Sequence, residues 1–256
     1  AEALHRQFPK RDDIARLHER SHAAWGRMQE RLKAVQEQLA EARLDDAVAM
    51  LAHLRDEYPH NPDWQALWLK AHMDHGRNQV SVGRRAIANH RFDTAVETFA
   101  AAVAAFDAAL SVFDRHPTAS MERMEAEALH AVASFAAQGE RDSAAGRWEA
   151  SRREWDAARA RLTQAREVRQ RDFGEMVAVV DTMLAEVRGT VSDLERARLL
   201  LFEGLQALDE RDAGRARECF RNALNHAEKS PDGLREQATS GLREAEAAQR
   251  EAKKLA

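Results

Sequence analysis

The residues whose spacing could do chemistry begin with His18-Glu19-Arg20-Ser21-His22, a literal H-E-x-x-H. On a helix this spacing sets two imidazoles one turn apart for zinc, with the glutamate as general base. The motif takes its meaning from its setting: enzymes that use it place the helix beside a substrate-orienting sheet. Here Arg20 and Ser21 fall where such enzymes keep apolar residues, and no third ligand follows at the metzincin spacing. Glu19-x2-His22 and Glu127-x2-His130 also make two E-x-x-H pairs, the element a di-iron carboxylate bundle needs on two of its helices. That bundle requires a Glu-bearing helix before the first pair, and the short segment ahead of Glu19 is interrupted by Pro9. His72-x2-His75 could chelate a metal weakly, or simply form a polar helix end near Gly76. The expectation is solvated polar faces, with no metal and no cofactor.

Arg159, Arg161, Arg166, Arg169 and Arg171 form a basic stretch in which Glu167 is the acid. A nucleic-acid surface would interleave exposed aromatics for stacking. The neighbouring Trp148 and Trp155 instead recur with Leu162 every seventh residue, as a packing stripe does. The arginines therefore read as a solvated face or a surface for an acidic protein partner, not as a nucleic-acid site. No glycine-rich phosphate loop and no nucleophile elbow occurs. Cys219, the single cysteine, excludes an intramolecular disulfide and lies beside Phe220, where an inert buried thiol is expected.

These side chains must be positioned by helices. The chain is rich in Ala, Arg, Glu and Leu, has one Tyr, and shows no sustained period-two alternation, so the predicted class is all-α without strands. Its 39 basic and 43 acidic residues are interspersed, giving a net charge of −4 without bias toward nucleic acid or anionic membrane. The longest apolar runs, Met176–Val180 and Leu199–Phe202, fall short of the ~20 residues of a membrane span. Prolines 9, 59, 62, 117 and 231 and short polar loops at 43–46, 89–93, 139–143 and 209–214 punctuate the sequence. The pattern predicts helices over 11–41, 45–57, 63–89, 93–115, 119–138, 143–171, 174–190, 192–209, 213–228 and 232–253. Gly76, Gly174 and Gly189 are candidate kinks or breaks, and 143–190 could run as one bent helix.

A small-then-bulky signature recurs in these helices. Gly83, Ala95, Phe99 and Ala102 are repeated at identical offsets by Gly204, Ala216, Phe220 and Ala223. Looser copies are Val35, Ala47, Leu51 and Leu54, followed by Pro59, and Val132, Ala144, Trp148 and Ser151. Fixed-offset self-similarity marks stacked helix hairpins. The small residues let two helices approach closely, and the large one fills the gap between hairpins.

These residues resemble the tetratricopeptide repeat family, whose helix–turn–helix unit carries Gly, Ala, a bulky residue and Ala at its eighth, twentieth, twenty-fourth and twenty-seventh positions. The key alanines stand at 47, 95, 144 and 216, intervals of 48, 49 and 72 against the family's about 34. The resemblance thus implies one elongated domain over 1–256, an irregular stack of long hairpins. Its repeats centre near 30–59, 78–115, 125–171 and 197–230, with a capping helix at 232–253 and room for an inserted helix in the last interval.

The resemblance further implies that the first helix of each hairpin lines a concave face. By register that face carries Arg77, Val80, Arg84 and Ile87 in one repeat, and Arg198, Leu201, Leu205 and Leu208 in another. The family's chaperone-binding members clamp a peptide's terminal carboxylates with Lys and Asn there, whereas this chain has Val80 and Leu201 at the fifth position. An apolar groove suits a partner's helix, unless the lengthened helices already cover Leu201, Leu205 and Leu208 as core.

The expected function is a non-catalytic scaffold or adaptor that binds another protein or its own copy. The alternatives are a regulatory receptor capturing a peptide in the concave face and, more remotely, a di-iron or zinc helical enzyme. The Ala/Arg-rich composition suggests a bacterial source. The expected compartment is the cytoplasm, with a periplasmic protein or a module of a larger chain as alternatives.

Overall fold

Long helices make up the chain, and one recurring tight turn joins them in four successive pairs. A computed structural model describes residues 12–59, 62–169, 173–230 and 233–255. Pro9, Pro231 and Arg171 lie outside the described residues. The helices are α1 (Asp12–Ala40), α2 (Leu44–Glu57), α3 (Asp63–Ala88), α4 (Phe92–Leu110) and α5 (Pro117–Ala144). They continue with α6 (Trp148–Arg169), α7 (Gly174–Asp209), α8 (Ala213–His226) and α9 (Leu234–Leu255). No strand occurs among the described residues, as the composition predicts.

The turn is the same after α1, α3, α5 and α7. Ala42, His90, Gly146 and Arg211 each adopt positive φ, at 57°, 55°, 71° and 62°. The amide of the next residue reaches back five residues, from Arg43 to the Gln38 carbonyl, Arg91 to Ala86, Arg147 to Asp142 and Asp212 to Ala207. The positive-φ residue itself donates three residues back, to Leu39, Ile87, Ser143 and Leu208. This is the Schellman arrangement, which satisfies the last carbonyls of a helix. The same residues Arg43, Arg91, Arg147 and Asp212 then offer their carbonyls to the amides of Ala47, Ala95, Ser151 and Ala216, opening the next helix at once.

Behind three of the four turns a glycine faces a ring sixteen residues later. A β-carbon added to Gly83 would lie 2.7 Å from the Phe99 ring, at Gly139 2.7 Å from the Trp155 ring, and at Gly204 2.8 Å from the Phe220 ring. In the first hairpin Val35 and Leu51, both fully buried, hold the corresponding places. These contacts shift the third hairpin by seven residues from the expected register. Its signature is Gly139, Ser151, Trp155 and Ala158, not Val132, Ala144, Trp148 and Ser151. The serine fits the small-residue position because its hydroxyl donates to the Gly139 carbonyl at 2.8 Å and lies 2.7 Å from the Ser143 hydroxyl.

The chain divides into two compact units, Ala1–Arg85 with Glu97–Glu127, and Ala86–Val96 with Ala128–Ala256. In the first, Met28, Leu32 and Val35 pack with Ala47, Leu51 and Leu54 and with Trp64 and Trp68. The Trp68 indole donates to the Ala108 carbonyl at 2.7 Å. A second cluster joins Met73, Ala102, Phe106 and Ala126. In the second unit, Phe92 meets Trp155 edge to face at 5.3 Å, while Leu194, Leu200, Leu201, Phe220, Ala223, Leu234 and Ala238 form one core.

Several expected boundaries differ from the observed ones; α4, expected to run to 115, ends at Leu110. The loop predicted at 139–143 lies at 145–147, because Gly139 is a packing glycine inside α5 and Gly146 is the turn residue. The helices predicted at 174–190 and 192–209 are one, α7, which occupies the long last interval without an inserted helix. Its first half packs on α6, with Arg188 bonded to Asp156 at 2.7 Å, and its second half packs on α8. A β-carbon at Gly189 would meet nothing within 4 Å, so no neighbour requires a glycine there. Gly189→Ala is therefore expected to stabilise the chain by about 0.5–1 kcal/mol, measured as a higher urea midpoint.

Candidate functional site

The residues expected on the α3 face are largely engaged within the first unit. Arg77 forks onto Glu122 of α5, its Nε 3.1 and 2.9 Å from the two carboxylate oxygens and its Nη2 2.9 Å from Oε1. Hydrogen bonding to Glu122 raises the Arg77 guanidinium above its ordinary value. Arg84 lies 3.7 Å from Glu125, whose side chain is 2% exposed. Val80 packs against the cluster of Met73 and Phe106, and Ile87 is fully buried. The two arginines thus tie α3 to α5, and the acids that hold them were not singled out from sequence. Replacing Glu125 with Gln keeps its shape but removes the charge facing Arg84. It is expected to cost about 2 kcal/mol, read by chemical unfolding.

The α7 face is different. Leu201 is buried in the core and Leu208 packs against it, so these two are covered as lengthened hairpins would cover them. Leu205, in contrast, is 55% exposed, and sequence reasoning missed its neighbours Phe202 at 66% and Leu199 at 45%. The three make one row along α7, turned away from Phe220. Arg198, also exposed, stands beside this row and lines a cleft of about 480 Å³ with Arg147, Trp148, Arg153, Val191 and Leu194.

The motifs with catalytic form are dispersed. His18 and His22 lie one turn apart on α1 with ring centroids separated by 6.4 Å, and Glu19 points to solvent. Glu127 bonds to Arg123 at 3.0 Å. His75 pairs with Asp45 at 3.2 Å, while His72 is buried against the Trp68 ring with a centroid distance of 4.3 Å. No group of three potential metal ligands comes together among the described residues. Arg159 bonds to Asp181 and Thr163, and Arg161 to Gln164, so these two belong to ordinary surface networks. Cys219 is buried; burial first, then the nearby Glu203, pushes its thiol upward, away from a reactive thiolate.

Among the described residues no helix is long and apolar enough to cross a membrane. The chain matches no family model, no curated protein and no solved structure.

Proposed function

We propose that the chain is a non-catalytic, tetratricopeptide-like interaction scaffold whose working surface is the second half of α7. The observation that carries this reading is the row Leu199, Phe202 and Leu205, each about half exposed or more on one helix face. Contiguous apolar side chains in water mark interaction surfaces, because their burial against a partner releases the cost of hydrating them. The repeated turn and the repeated glycine–ring contact support a scaffold: they spend the sequence on holding hairpins together. With Arg77 and Arg84 held by Glu122 and Glu125, the α7 part of the expected face, where Leu205 is exposed, carries the reading.

Placing a photo-crosslinking amino acid at Phe202 tests this reading in extract of the source cells. Discrete protein adducts are expected at position 202, and their loss when Leu199 and Leu205 become aspartate. Adducts no stronger than those from the exposed Glu186 on the same helix would defeat it.

A further inference from the structure

We infer that the apolar row on α7 is a self-pairing surface, on which a second copy of the chain docks with its own α7 running antiparallel. This rests on the reading of α7 as the interaction face and names its occupant.

The exposed residues of α7 form a palindrome. Arg198 precedes Phe202 by four residues, and Asp209 follows Leu205 by four. On a helix, residues three and four apart share a face, so Arg198, Phe202, Leu205 and Asp209 make one row over about 16 Å of axis. Read from either end the row runs charge, apolar, apolar, charge, with the charges opposite in sign.

A two-fold axis between Phe202 and Leu205 maps each half onto the other. Each Phe202 then meets the partner's Leu205, and each Arg198 meets the partner's Asp209. Such an interface uses the same patch twice and closes at two copies. Parallel pairing would instead stack Arg198 on Arg198 and Asp209 on Asp209. Leu199 extends the apolar row by one turn, and the exposed Glu195 flanks Arg198 on its other side. A patch centred on one helix is small for a protein interface, so the pairing is weak and visible only at high concentration.

The test is sedimentation equilibrium of the full chain from about 10 µM to about 1 mM. The mass is expected to rise from 28.8 kDa toward twice that value, and Phe202→Asp to hold it at the monomer. Arg198→Glu and Asp209→Arg should each weaken self-association roughly tenfold, since each sets like charges across the axis twice. An equimolar mixture of these two variants should associate again, because each then presents the charge the other lacks. Neither misfolding nor loss of solubility can produce that rescue.

A mass fixed at the monomer throughout, or a mixture no better than its components, overturns the inference. If the chain stays monomeric while position 202 still crosslinks to other proteins, self-pairing falls and the scaffold reading stands. Absence of both would remove both.

Discussion

Phe220→Ala is expected to lower the unfolding free energy by about 4 kcal/mol, read as a lower urea midpoint at unchanged slope. The Phe220 ring is fully buried and is gripped from two sides. A β-carbon on Gly204 of α7 would lie 2.8 Å from it, and one on Gly241 of α9 2.5 Å. Both helices approach so closely that the ring touches their backbones, and removing it leaves a void that neither rigid helix can collapse into. The converse change, Gly241→Ala, forces a methyl into the same ring and should cost about 2 kcal/mol through overpacking. Combining Gly241→Ala with Phe220→Leu should cost less than the sum, because the smaller side chain admits the methyl. A loss below about 1.5 kcal/mol for Phe220→Ala would show that α7, α8 and α9 are held by other contacts.

Acidification should destabilise the chain through His72. Burial first, then the positive charges of His75 and Arg55, lower its imidazole from 6.5 to about 4. Both ring nitrogens are buried without a hydrogen-bond partner, and the ring lies on Trp68, over which the Arg55 guanidinium also sits, 4.8 Å from the indole centre. Between pH 6.5 and pH 4 the unfolded chain takes up a proton at this site that the folded chain refuses. Stability contributed by His72 is therefore complete above pH 6.5 and is lost as pH falls toward 4, by about 3 kcal/mol in all. His72→Phe should remove that part of the slope and stabilise the chain most at the acid end. Parallel stability–pH curves for the two proteins across this window would refute the assignment.

The sequence made the helices and their hairpins legible because the evidence for both is local. Alanine-rich amphipathic segments declare a helix, and Gly83–Phe99 and Gly204–Phe220 carry the same pair at the same offset. Gly139 misled for a physical reason: a glycine between polar residues reads as a breaker, and only the Trp155 ring across the hairpin shows that it is a packing position. Gly189 misled in the same sense, since α7 also passes through it, but there a β-carbon would meet nothing within 4 Å. At the candidate site, Arg77 and Arg84 were located by register, but their partners Glu122 and Glu125 sit on another helix, and pairing across helices is a tertiary fact. The run Leu199–Phe202 looked uniformly apolar. Only the placement of α8 divides it into Leu200 and Leu201, which are covered, and Leu199 and Phe202, which are not.

The double grip on Phe220 also bears on time. A phenyl ring turns over about its own axis only when its surroundings dilate, and here both surroundings are helix backbone drawn to within van der Waals contact at Gly204 and Gly241. At those two contacts there is no side chain to step aside and let the ring pass. Each half-turn must await a breathing motion that parts α7 or α9 from α8, a collective event far slower than rotamer exchange at an exposed site. The ring is in this sense a built-in clock for the opening of the helical pack, and its turnover rate reports how often that pack loosens while the chain remains folded.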